Sequence, residues 1–202
     1  MNRLSLLKNL FLVLSFITFI SSAFSTSSSW KGTTSTAWNN ASNWTNGVPT
    51  SSVDAIIGDA NFTGANQPTI NANNLQCLSL SVGTGTVSVI LTTSNNQFTI
   101  NGDITIGSNG TLVHNNGTSG RNLIVYGNWI QTGTYNPSGT QALVLFEDNG
   151  VGNTPSISGS GPFKNLTINA PTSLLSNITV NSNRSEEHTS ELQSRFGISY
   201  AV

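Results

Sequence analysis

Phe98-Thr-Ile-Asn-Gly-Asp-Ile104 and Leu123-Ile-Val-Tyr-Gly-Asn-Trp129 are two copies of one pattern: a short apolar strand, a glycine, a polar residue and a second strand. Gly102 and Gly127 set the offset at 25 residues. Strand centres near Leu80, Ile100, Val125, Leu145 and Ile168 extend the series at spacings of 20, 25, 20 and 23. Period-two alternation recurs in Leu78-Ser-Leu-Ser-Val82, Val87-Ser-Val89, Leu166-Thr-Ile168 and Ile178-Thr-Val180. Short runs rich in β-branched residues mark strands. Leu123-Ile-Val125 and Leu143-Val-Leu145 are continuous apolar triplets, the pattern of strands buried on both faces. Asn-Gly pairs at 101–102, 109–110, 116–117 and 149–150 punctuate these runs as turns. The chain is therefore all-β. A repeat of 20–25 residues with strands in every copy predicts a parallel β-helix, a solenoid whose coils stack their inward aliphatics into one core. Asn at repeated turn positions suits this, since its amide can bond the backbone one coil away. The alternative is an antiparallel β-sandwich, which also spaces short strands regularly.

Composition narrows the function. Only 7% of the 202 residues are charged, against roughly 25% in an ordinary chain, and the net charge is −1. Such a chain offers no basic field for nucleic acid or an anionic membrane. A single cysteine, Cys77, excludes an intramolecular disulfide framework and a thiolate metal cluster. Beside the apolar strand Leu78–Val82 it reads as a small hydrophobe.

Both ends differ from the middle. Residues 1–25 carry Arg3 and Lys8, then the apolar run Leu10–Ile20, then small residues. This is the layout of a secretory signal peptide, with cleavage expected after Ala23 or Ser25 and no membrane span left afterwards. Thr26-Ser-Ser-Ser29 reads as a flexible linker behind the cleavage point. Residues 26–74 form the linker and a Trp-rich N-terminal cap, and residues 75–183 the solenoid coils. From Arg184 the composition switches: 25 Asn fall between Thr26 and Asn183 and none beyond, while 5 of the last 19 residues are charged. Arg184-Ser-Glu-Glu-His-Thr-Ser-Glu-Leu-Gln-Ser194 and Ile198-Ser-Tyr-Ala-Val202 resemble the in-frame translation of a short-read sequencing adapter. Residues 184–202 are accordingly left out of the fold, which is expected to be truncated at its C-terminal end.

Three of the four tryptophans sit close together: Trp30-Lys-Gly32, Ser35-Thr-Ala-Trp38 and Ser42-Asn-Trp44, closed by Gly47-Val-Pro49. An open solenoid end exposes strand edges and an apolar cross-section, which three large rings can cover. Their other reading is an aromatic platform for stacking sugar rings. The series, with Asp54-Ala-Ile-Ile-Gly58 and the Gly-Asp and Gly-Asn-Trp turns, resembles the opening of large secreted surface proteins of Bacteroidetes-type bacteria. That resemblance implies a right-handed parallel β-helix of the pectin-lyase-like or autotransporter-adhesin kind.

Catalytic chemistry is sparse. Glycoside hydrolysis needs two carboxyl groups about 5–10 Å apart. Between Thr26 and Asn183, Glu147-Asp148 is the only adjacent acidic pair, in the turn-like Phe146-Glu-Asp-Asn-Gly150. It reads as solvated loop acids, or as a weak Ca²⁺ loop with oxygen ligands. His114, in Leu112-Val-His-Asn-Asn116, reads as a strand-end surface residue. With so few histidines and one cysteine, no nucleophilic triad or zinc set forms, and no cofactor is implied. The expected role is an exported, non-enzymatic structural or adhesive β-solenoid, part of a larger secreted or cell-surface protein whose partners are glycans or other surface molecules. The alternative is the N-terminal part of a carbohydrate-binding or polysaccharide-degrading β-helix with its active coils downstream.

Overall fold

A computed structural model describes residues 26–117, 122–150, 152, 154–159, 161–186 and 199–200. The signal-like residues 1–25 and most of the adapter-like segment lie outside them. Strand β1 (Thr26–Ser29) precedes six coils. The first four coils each carry three strands: β2 (Val53–Ile57), β3 (Thr69–Ile70) and β4 (Leu75–Cys77); β5 (Leu80–Val82), β6 (Val89–Ser94) and β7 (Phe98–Ile100); β8 (Ile104–Ile106), β9 (Gly110–Asn115) and β10 (Leu123–Val125); β11 (Trp129–Gln131), β12 (Thr134–Asn136) and β13 (Leu143–Phe146). The last two carry two each, β14 (Ser156–Ser158) with β15 (Pro162–Ile168) and β16 (Ser173–Leu174) with β17 (Thr179–Glu186); β18 (Ser199–Tyr200) follows.

Strands at the same place in successive coils pair in parallel and build three sheets. Sheet I runs β1-β2-β5-β8-β11-β14-β16, sheet II β3-β6-β9-β12, and sheet III β4-β7-β10-β13-β15-β17-β18. Among the described residues every strand pair is parallel, which excludes the sandwich; the one antiparallel contact is the isolated Trp30–Trp44 bridge. The protein is a β-solenoid.

The period follows from what each coil position holds. In sheet I the inward column is Ala55, Leu80, Ile104, Trp129, Ile157 and Leu174, each buried and in register with the next. In sheet III it is Cys77, Ile100, Val125, Phe146 and Ile168. Leu80 therefore stacks on Ala55 and Ile104, in a different sheet from Ile100, so the spacing of centres ran two columns together. The Gly102–Gly127 offset does belong to one column. A Cβ on Gly127 would strike the Gly102 backbone, so the corner closes only with glycine there.

Three local expectations are corrected. Leu123–Val125 and Leu143–Phe146 alternate in burial instead of being buried throughout: Ile124 and Leu145 point outward, half-exposed, because one side of each sheet faces solvent. Thr26–Ser29 is no linker but strand β1, in register with Val53–Ile56. Its small hydroxyl side chains fit beneath the cap: Ser28 Oγ donates to the Gly47 carbonyl at 2.6 Å, and Ser29 Oγ to Asp59 Oδ2 at 2.7 Å. Strand β17 continues across Asn183–Arg184, pairing Arg184, Ser185 and Glu186 with Leu166, Thr167 and Ile168.

Candidate functional site

The N-terminal cap places Trp30, Trp38 and Trp44 inside the protein, at 0, 0 and 2% exposure. Trp44 meets Trp30 and Trp38 edge-on, with ring centroids 5.0 and 4.6 Å apart, and Trp38 stands 4.9 Å from Phe98 of the second coil. The rings thus lie across the end of the axial core. Trp30 Nε1 donates to the Asn66 carbonyl and Trp44 Nε1 to the Trp38 carbonyl. Asn43, fully buried, organises the loop between the rings: its Oδ1 accepts from the backbone of Thr34 and Ser35, and its Nδ2 donates to Ser35 Oγ and the Ala37 carbonyl. No ring face is open to a sugar, because each is used in packing the others.

The acidic pair separates. Glu147 follows β13 and accepts from Asn169 Nδ2, the residue one coil on, at 3.1 Å. Asp148 is exposed, and its Oδ1 accepts from the backbone N–H of Gly150 at 2.8 Å. Glu147 thus serves coil stacking and Asp148 closes a turn. Among the described residues no three His, Cys, Asp or Glu side chains converge as a metal site would require.

His114 is a correction. It lies inside the solenoid, 1% exposed, and shares a 2.9 Å hydrogen bond between Nδ1 and the Tyr135 hydroxyl of the next coil. Alternation in β9 sends Leu112 and His114 inward together. Thr93, in register with His114 one coil earlier, is also buried. Burial lowers the His114 pKa to about 4 and pushes the Tyr135 hydroxyl up. Cys77 is fully buried, and burial together with the charge of Asp54 raises its thiol pKa well above the usual value.

Two features escape a linear reading. The first is a polar rail at the corner before sheet I. Asp54 Oδ1 accepts from Ser79 N, Asp103 Oδ1 from Asn128 N, and Asn128 Oδ1 from Ser156 N, each bond reaching one coil onward. Asn101 and Asn109 likewise donate to the Cys77 and Gly85 carbonyls, 24 residues back. The second is the outer face of sheet III. Register places Ile124 beside Leu145 and puts Leu143 and Tyr126 on the same side. All four are half-exposed; Asn122 borders them on the coil of β10 itself, and Asn101 and Asn165 lie on the coils to either side. The strip spans two coils of β10 and β13, whose side chains are far apart in sequence.

No helix among the described residues is long and apolar enough to cross a membrane. Compared with family models, curated proteins and solved structures, the chain matches none of them.

Proposed function

We propose that this β-solenoid is an exported structural and adhesive element of a larger secreted or cell-surface protein, contacting glycans or other surface molecules without catalysing a reaction. The observation that carries this reading is the outer face of sheet III: a half-exposed apolar strip, Ile124, Tyr126, Leu143 and Leu145, bordered by neutral amides on a rigid parallel sheet. Apolar area with amide donors and acceptors around it suits neutral, polar partners with flat faces, and needs no charge to hold them. Coil-to-coil bonding makes the support stiff, and stacked repeats present an extended surface. A basic, apolar N-terminal segment supports export.

Beads coated with the full chain test it on glycan arrays and bacterial or host cell surfaces. Retention should be lost in the double variant Tyr126→Ala, Leu145→Lys while the melting temperature is kept. Equal retention by both proteins would overturn the adhesive reading, and cleavage of a bound polysaccharide would replace it with the enzymatic one. Recovery of the chain inside the cell with Met1 intact would overturn export.

A further inference from the structure

We propose that the corner between sheets I and II is a second binding site, a groove that takes an uncharged polysaccharide chain laid along the solenoid axis. It lies apart from the sheet III strip and does not rest on it.

Sheet I turns into sheet II through residues 83–88 in the second coil and 107–109 in the third. A groove of about 300 Å³ follows this corner, reaching from Gln67 in the first coil to Thr134 in the fourth. Three steps between paired strands, about 4.8 Å each, make it about 14 Å long, room for a short run of sugar rings. Val89 and Gly110 are buried in its lining, while Ser88, Ser108 and Ile90 are exposed.

Two amides of the lining are pinned at one end only. The Ile90 N–H donates to Gln67 Oε1 at 2.8 Å, and Asn109 Nδ2 donates to the Gly85 carbonyl at 2.7 Å. A backbone N–H can only donate and a carbonyl only accept, so the orientation of both amides is fixed. Gln67 Nε2 and Asn109 Oδ1 are left without a partner among the described residues, as are the hydroxyls of Ser88, Ser108, Thr111 and Thr134. Gln131, at this corner in the fourth coil and outside the groove, shows the contrast. Its Oε1 accepts from Trp129 Nε1 and its Nε2 donates to the Gly133 carbonyl, so both ends are spent.

These groups select the occupant. A held donor, a held acceptor and hydroxyls that can act as either match the alternating donors and acceptors of sugar hydroxyls. Ile90, 43% exposed, offers an apolar patch for the C–H face of a ring. No charged side chain lines the groove, so an acidic sugar would bring its carboxylate without a counter-charge. An extended peptide binds by pairing its backbone with a free strand edge. Here β6 and β9 each lie between two neighbours and spend their backbone groups on them.

Titration calorimetry of the full chain tests the proposal, with cellohexaose, mannohexaose and xylohexaose as neutral probes. Hexagalacturonate and a Gly-Ser peptide of equal length serve as the acidic and peptide probes. At least one neutral hexasaccharide should bind, and the other two classes should not. Thr111→Tyr, which fills the groove from an outward strand position, should abolish binding. The exposed pair Ser88→Ala, Ser108→Ala should raise Kd about tenfold at an unchanged melting temperature, the loss of two ordinary hydrogen bonds. Tyr126→Ala, Leu145→Lys should bind the hexasaccharide as the parent does. Loss of binding there, with full binding in Thr111→Tyr, would overturn the groove and leave the adhesive reading of sheet III standing. The groove is equally overturned if no neutral hexasaccharide binds, if the serine pair binds as the parent does, or if hexagalacturonate or the peptide binds as tightly.

Discussion

Asp103 Oδ1 receives both the backbone N–H of Asn128, at 2.8 Å, and its Nδ2, at 3.0 Å. The two residues are 25 apart in the chain and occupy the same corner of successive coils. One carboxylate oxygen therefore fixes both the backbone and the rotamer of the next coil, and Asn128 Oδ1 passes the constraint on to Ser156 N and Oγ. Asp103→Ala leaves a partly buried N–H without its acceptor and should destabilise the fold by about 1–3 kcal/mol. Asp103→Asn keeps an acceptor oxygen and should cost less. Urea unfolding of the two variants against the parent checks the order.

The cap yields a graded series. Trp38→Ala empties a fully buried site against Trp44 and Phe98 and should cost about 3–5 kcal/mol. Trp38→Phe should cost less than Trp44→Phe. Trp38 Nε1 is buried with no hydrogen-bond partner, so losing it removes an unpaired donor, whereas losing Trp44 Nε1 strands the Trp38 carbonyl. Thermal melts of the three variants decide it, and the reverse order for the two phenylalanine variants would contradict this packing.

His114 makes stability depend on pH. Its folded pKa of about 4 lies below the ordinary 6.5, so between these values the unfolded chain binds more protons than the native one. Stability from this group is complete above about pH 6.5 and falls as pH drops towards 4, by about 3 kcal/mol in all. The groups around the imidazole, Tyr135 and Thr93, supply no compensating negative charge. Urea midpoints measured from pH 7 to pH 4 should decline in the parent and decline less in His114→Gln.

Cys77 should resist thiol reagents in the native protein, because its side chain is fully buried and the thiolate is disfavoured there. Labelling should become complete in denaturant. Rapid labelling of the native chain would contradict its place in the inward column with Ile100.

The class of fold was legible because solenoid coils repeat their chemistry. Gly102 and Gly127 meet in space at the offset the sequence gives them, and the recurring Asn side chains do bond one coil back. What misled was locality. Leu80 and Ile100 look like successive repeats, yet a coil has more than one strand and they lie in different sheets. His114 looked like a surface residue because a polar side chain in a short strand usually is one; its partner, Tyr135, sits 21 residues on. Thr26–Ser29 resembles a linker in composition, and only the Gly47 and Asp59 acceptors turn its hydroxyls into strand contacts. The sheet III strip was illegible for a similar reason, since Ile124 and Leu145 become neighbours only once register is known.

Among the described residues sheet II ends with β12, and the reach from one coil to the next falls from 24–25 residues in the early coils to 17 between Gly159 and Ser176. The solenoid therefore tapers. In a stack whose stability is a sum of nearest-neighbour terms, a two-sided coil burying fewer inward side chains is held less firmly by its neighbour than a three-sided one. Tension applied along the axis should thus peel the narrow coils first, leaving the tryptophan-capped coils as the last to yield. Pulled in an optical trap, the chain should lengthen in unequal steps, with the lower forces belonging to the coils after β12.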